Sequence, residues 1–151
     1  MFKILNNKGF TLIELVIVIS IIFILATVSN YSFRSVIDYF KLKSNFREIY
    51  ANFLKARQLA IINQERFGIA FDVTGNKYTV FRKGGVVLRT INLSKGIKYV
   101  KKEIDFGKDN KMRFTPMGTA EGGHITITNN FDKRYTIIVY SHTGRVRFEK
   151  N

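Results

Sequence analysis

Residues 10–28, FTLIELVIVISIIFILATV, form a run of 19 residues interrupted only by Glu14, Ser20 and two threonines. A helix of about 20 apolar residues matches the ~30 Å hydrocarbon layer of a bilayer, so the run is predicted to span a membrane. Lys3 and Lys8 precede it, and the positive-inside tendency puts that end in the cytoplasm and residues 30–151 outside. A cleaved secretory signal would have a shorter apolar core followed by small residues, whereas here the small residue, Gly9, stands before the run. Glu14 is the anomaly. An ionisable group inside a span costs about 2.5–3.5 kcal/mol on insertion scales and calls for a partner.

No glycine or proline occurs from Phe10 to Phe67, and an apolar stripe continues through Phe33, Ile37, Phe40, Phe46, Ile49, Phe53, Ala56 and Ala60. Spacing of three to four predicts a helix. Over residues 10–66 it would hold 57 residues, roughly 85 Å at about 1.5 Å per residue, so its outer half must pack on a soluble domain. After Gly68 the period changes to two. The runs FGIAFDV, KYTVF, VVLRTINL, KMRF, HITITN, RYTIIVY and RVRFE read as roughly seven antiparallel strands. Gly75-Asn76 and Gly84-Gly85 suit tight hairpins, and His142-Thr143-Gly144 suits a three-residue loop. Pro116 and Gly118 mark a further loop, and residues 101–110 read as a charged connector. No internal repeat is apparent.

The segment Lys8-Gly9-Phe10-Thr11-Leu12-Ile13-Glu14 resembles the class III signal of type IV pilins and type II secretion pseudopilins. The resemblance implies that a prepilin peptidase cuts after Gly9 and methylates the new terminus, Phe10. It also implies that the Glu14 carboxylate meets the terminal amine of a neighbouring subunit's Phe10 during assembly. The physics agrees, because opposite charges in a low dielectric attract strongly and are costly when unpaired, so their pairing sets the axial register of one helix against the next. An ordinary single-pass anchor with a stray glutamate is the alternative. Many pilins have a proline where this chain has Tyr31, which leaves a kink there open; Ser29, Asn30 and Ser32 are polar enough to weaken the helix.

More narrowly, Ala56-Arg57 with Ala60-Ile61, then Arg113-Phe114-Thr115-Pro116-Met117-Gly118, then Thr143-Gly144-Arg145-Val146-Arg147 resemble the GspH/FimT group of minor pilins and pseudopilins. The implied fold is α+β, the type IV pilin fold, with a long N-terminal helix packed on an antiparallel β domain of two small sheets. The implied organisation is a leader at 1–9, a transmembrane and filament-core half-helix at 10–30, an amphipathic half-helix at 31–66 and the β domain at 67–151.

Enzyme chemistry finds little support. Without cysteine there is no disulfide, thiolate nucleophile or cysteine-held metal, and the two histidines, His124 and His142, form no paired ligand motif. No glycine-rich loop opens a helix as phosphate cradles require. Ser141 and His142 are adjacent, and strand neighbours point to opposite faces, which suits a turn better than a nucleophile and its base. No cofactor and no metal site is expected.

Charge is the stronger lead. The chain carries a formal +14, and residues 30–151 hold 23 Lys and Arg against 10 Asp and Glu. Such an excess favours anionic partners, and duplex DNA is a dense line of negative charge bound without sequence preference. In Gly144-Arg145-Val146-Arg147 an extended strand sets the two arginines on one face about 6.6 Å apart, with Val146 and Phe148 on the other. Guanidinium forks suit phosphate oxygens, and a turn glycine allows close approach of a ligand backbone. These four residues match the G-R-x-R motif that the FimT-like branch associates with DNA capture in natural transformation. Lys133, Arg134, Lys101 and Lys102, and beyond them Lys98, Lys108, Lys111 and Arg113, would widen the surface if they cluster; otherwise they form an ordinary solvated face. Tyr78, Phe81, Tyr99, Tyr135 and Tyr140 are assigned to core packing rather than base stacking, and no base-specific readout is expected.

Two functions follow. In the first, a minor type IV pilin is inserted in the inner membrane as a single-pass prepilin and assembled with other pilin subunits into a periplasmic or extracellular filament. Its partners are prepilin peptidase, inner membrane lipid and extracellular double-stranded DNA taken up in transformation. In the second, a GspH-like type II secretion pseudopilin or priming minor pilin has a purely structural role. An envelope enzyme is a third class without a supporting constellation. Replacing Gly9 with leucine is expected to leave the leader attached, which intact mass of the membrane-extracted protein reads as retention of residues 1–9 and absence of a methylated Phe10.

Overall fold

A computed structural model of the chain describes residues 10–107 and 109–150, the side chains of residues 28–32 excepted. Gly9 and Lys108 lie outside the described residues. The chain forms two compact units, residues 1–36 and residues 37–151. Helix α1, Leu12–Ile62, contributes to both and is helical at Tyr31.

In the first unit Thr11 caps the helix start, accepting the Glu14 amide on Oγ1 at 3.3 Å. Ser20 and Thr27 turn their hydroxyls back onto the Val16 and Ile24 carbonyls at 2.7 and 2.8 Å. Their polar atoms are thereby satisfied within the helix, as an apolar solvent demands. The large side chains from Phe10 to Leu25 are exposed. Among the described residues no helix is long and apolar enough to cross a membrane; the described side chains of this half stop at Thr27, and the span expected over 10–30 rests on the sequence.

In the second unit α1 buries Leu42, Phe46, Ile49, Phe53, Ala56 and Ala60, the spacing of one helix face. Phe33, Ile37 and Phe40, expected on the same stripe, are exposed, and the buried stripe begins only at Leu42. The helix ends at Ile62, short of the expected Arg66, as Gln64 takes a positive φ of 52°. Asn63 and Gln64 donate their side-chain amides to the Leu59 and Ile61 carbonyls at 3.0 and 2.7 Å; the Ile61 carbonyl is one of those left open at a helix end, and the Leu59 carbonyl also accepts the Asn63 backbone amide at 3.0 Å.

Eight strands follow: β1 Phe67–Asp72, β2 Lys77–Arg82, β3 Val86–Asn92, β4 Lys98–Asp105, β5 Lys111–Phe114, β6 Gly123–Thr128, β7 Arg134–Val139 and β8 Val146–Lys150. They form two antiparallel four-stranded sheets, ordered β3-β2-β1-β5 and β4-β6-β7-β8. The first half of the charged connector expected at 101–110, residues 101–105, is strand. β4 meets β6 at Lys98↔Thr128 and Tyr99↔Ile127, loses register, and meets it again at Ile104↔Ile125 and Asp105↔His124. Charge hid it: an edge strand is half solvated, and charged, bulged edges resist pairing with other chains.

Phe53 of α1, Phe71 of β1 and Phe106 after β4 form a three-ring cluster, with the Phe53 centroid 5.9 Å from each of the others and Phe71 stacked on Phe106 at 5.5 Å. Phe46 stacks on Tyr135 of β7 at 4.7 Å. Buried Asn45 ties the helix to the segment after β3, accepting the Ser94 amide at 3.0 Å and donating to the Ser94 hydroxyl at 2.8 Å. Asn52 donates to the Tyr78 hydroxyl at 2.8 Å. Burial, with Glu48 nearby, pushes that hydroxyl up to about 12. Among the described residues every buried apolar side chain falls between Leu42 and Val146, so residues 37–151 contain a core of their own. Phe53→Ala is expected to cost roughly 3–5 kcal/mol in denaturant unfolding of that fragment, whereas Phe40→Ala, at an exposed position, leaves its stability unchanged.

Candidate nucleic-acid interface

Three segments distant in sequence meet at the end of the domain where α1 terminates. Arg57 extends from the helix and donates from Nε to the Gly118 carbonyl at 3.0 Å and from Nη2 to the Thr143 carbonyl at 3.3 Å. The loop after β5 is closed by the Thr115 amide on the Thr119 carbonyl at 2.9 Å and by the two threonine hydroxyls at 2.6 Å. The β7–β8 turn is held by the Gly144 amide on the Tyr140 carbonyl at 3.1 Å and the Tyr140 amide on the Arg145 carbonyl at 2.9 Å. Gly144 has φ +59°, and a Cβ there would lie 2.0 Å from the Gly118 carbonyl oxygen. The close approach at this buried glycine is therefore made by the protein's own loop. It is not left open for a ligand backbone, contrary to the sequence expectation.

Arg145 and Arg147 are exposed, and among the described residues neither has an ion pair. Strand β8 starts at Val146, so Arg145 belongs to the turn. Val146 is buried, and Phe148, although 55% exposed, sets its ring edge-on against Phe46 and Tyr50 at 5.5 and 5.8 Å. Arg147 faces the other way, in register with Ile138 and, through it, His124.

The remaining candidates are not brought to this place. Lys133 and Arg134 lie at the start of β7, about 20 Å along the strand from Tyr140 at ~3.4 Å per residue. Arg134 is also engaged: it contacts Glu103 at 2.9 Å and Asp132 at 3.0 Å, and those carboxylates, Asp132 foremost, hold its proton more firmly than usual. Lys101 and Lys102 are exposed on β4, the sheet edge opposite β8. Arg113 pairs with Asp109 and with Glu121, the latter at 3.4 Å, and Lys111 pairs with Asp109 at 3.7 Å. The hydrogen bond from Arg113 is the main cause holding the Asp109 carboxyl below its ordinary value. Of the aromatic candidates, Tyr78, Tyr99 and Tyr135 are buried, Phe81 is half-buried and Tyr140 is 42% exposed.

Arg66, Arg82 and Lys83 escaped the sequence reading. The Lys83 amide donates to the Arg66 carbonyl at 2.7 Å, and Phe67 pairs with both Arg82 and Phe114. This register carries the cluster to the edge of the loop that contains Gly118. The available signal was modest: two basic residues run into the Gly84-Gly85 turn, and a third directly precedes β1. Among the described residues no group of three or more His, Cys, Asp or Glu side chains is placed to hold a metal ion.

Residues 45–144 match the family described as type II transport protein GspH. The chain belongs to the GspH family. Residues 4–29 match the prokaryotic N-terminal methylation motif, the signal resembled by the segment around Gly9. No curated protein matches the chain. Among solved structures, the minor pseudopilin EpsH from the type 2 secretion system of Vibrio cholerae is similar at 16% identity and a TM-score of 0.62, covering 73% of this chain and 97% of that one. The type IV minor pilin FimU of Pseudomonas aeruginosa is similar at 19% identity and a TM-score of 0.58, covering 74% and 90%. The type IV pilin fold, with its long helix on two antiparallel sheets, is shared with both.

In this family member Gly144 is expected to be a packing residue. Gly144→Ala should destabilise residues 37–151 by about 1–3 kcal/mol, since something must shift to admit the methyl group. Arg145→Ala and Arg147→Ala, at exposed positions, should stay within about 0.5 kcal/mol in the same unfolding measurement.

Proposed function

We propose that this GspH-family chain is a minor pilin whose basic domain binds double-stranded DNA for uptake in natural transformation. Prepilin peptidase removes the leader after Gly9 and methylates Phe10, residues 10–30 sit in inner membrane lipid, and Glu14 pairs with a neighbouring subunit's terminal amine during assembly. The role is assembly and binding rather than catalysis.

The observation that carries the DNA reading is the pair Arg145 and Arg147, exposed without an acidic partner among the described residues, on a hairpin braced by Arg57. Their fixed hairpin means that little backbone ordering has to accompany phosphate contact. The contacts read the backbone and carry no sequence information. Arg134 contributes less than its sequence position suggested, because Asp132 and Glu103 already engage its guanidinium.

The second reading, a structural pseudopilin of a secretion system, draws support from the GspH match over 45–144 and the likeness to EpsH. DNA affinity of residues 37–151 across a salt series separates the two. Arg145→Ala/Arg147→Ala is expected to weaken duplex binding about tenfold at low salt and to lower the slope of log K against log salt by about 2. Equal affinity in wild type and double variant would remove these arginines from the claim. A deletion that stops secretion while DNA uptake continues would favour the structural subunit.

A further inference from the structure

The outer face of the β3-β2-β1-β5 sheet carries a groove of about 430 Å³ that the DNA reading does not use. Register explains its shape. Two rows cross the strands on this face, Val87–Phe81–Gly68–Arg113 and Thr90–Thr79–Ala70–Lys111. Along β1 the floor of the groove is the single methyl of Ala70, between the walls formed by β2 and β5, while Gly68 is buried beneath the Phe81 ring. Two strand spacings separate those walls, roughly 10 Å, which admits a single extended chain or a planar ring and excludes a duplex. The Phe81 ring leans over the floor: a Cβ on Gly68 would come within 2.6 Å of its Cζ.

The charge of the groove has one sign. Arg66, Arg82, Lys83, Lys111 and Arg113 line it, and no acidic residue does. Lys111 and Arg113 are partly neutralised by Asp109 and Glu121 outside the groove, whereas Arg66, Arg82 and Lys83 have no ion pair among the described residues. An anion is therefore favoured at the end where β1 begins. The apolar remainder, Phe81 and Val87, favours a ligand that also has a flat or greasy part. A peptide suits the groove poorly, because β1 is hydrogen-bonded to β2 on one side and β5 on the other and offers no main-chain partner for peptide amides. A nucleic-acid strand needs none, since it is held by its phosphates and the faces of its bases.

We propose that this groove binds a single strand of nucleic acid, with a base against Phe81 and adjacent phosphates on Arg66, Arg82 and Lys83. The ligand class is shared with the duplex reading, but the contacts that carry it, Arg66, Arg82 and Lys83 here against Arg145 and Arg147 there, are different, so the two can fail separately.

The chain has no tryptophan, so Phe81→Trp places its one indole, excited selectively over the tyrosines at the red edge, in the groove of the detergent-solubilised full chain. A fluorescein-labelled oligothymidylate of about 10 nucleotides, within the site sizes of single-strand binders, is the probe. Quenching of the indole on titration is expected. Arg66→Gln/Arg82→Gln/Lys83→Gln should weaken oligonucleotide binding about tenfold or more and lower the salt slope by about 2, with the far-ultraviolet dichroism unchanged. Arg145→Ala/Arg147→Ala should leave oligonucleotide quenching intact even where it reduces duplex affinity. Absence of quenching, unchanged affinity in the triple variant, or equal competition by inorganic phosphate or by a glutamate- and phenylalanine-rich peptide would each overturn the proposal.

Discussion

The β domain is organised by the need to cover one face of α1 from Leu42 to Ala60. An apolar stripe of six residues at helical spacing leaves water only if something packs on it, and the two sheets do so from different directions. The β3-β2-β1-β5 sheet brings Phe71 onto Phe53, and the β4-β6-β7-β8 sheet brings Tyr135 onto Phe46. Two alanines, Ala56 and Ala60, end the stripe. Their small size suits the part of the helix where Arg57 can reach two neighbouring loops.

Arg57 shows how local motifs acquire meaning in three dimensions. The helix segment around it, the loop with Gly118 and the turn with Gly144 look like three unconnected pieces in the chain. In the fold one guanidinium donates to a carbonyl of each loop, Gly144 permits those loops to touch, and Gly118 permits its loop to close on Ile61 of the helix. The family pattern in these segments thus describes a packing junction as well as a set of exposed arginines. Arg145 and Arg147 project from that junction.

The charge distribution separates what composition says from what geometry allows. An excess of 23 basic over 10 acidic residues beyond residue 29 states that anions are attracted, without stating where. Arg134 is spent on Asp132 and Glu103, Arg113 on Asp109 and Glu121, and Lys101 with Lys102 occupies a remote sheet edge. Meanwhile Arg66, Arg82 and Lys83 converge because Phe67 pairs with Arg82 and the next residue's amide reaches back to Arg66. Residues 16 positions apart along the chain become neighbours only through strand register, which no local pattern discloses.

The sequence by itself determined the long helix, the switch from a period of 3.6 to a period of two, seven of the eight strands and the family, because hydrophobic spacing and turn chemistry act within a few residues. It missed β4, whose edge position lets charge replace the alternation that marks a half-buried strand. It also misplaced the start of the buried stripe, since Phe40 has the right spacing but no sheet opposite it. Only the tertiary structure decided which arginines are engaged, that Gly144 packs on Gly118, and that Ala70 on β1 floors a cationic groove. Each of these depends on contacts between segments far apart in the chain, where burial and pairing are properties of the neighbours as much as of the residue itself.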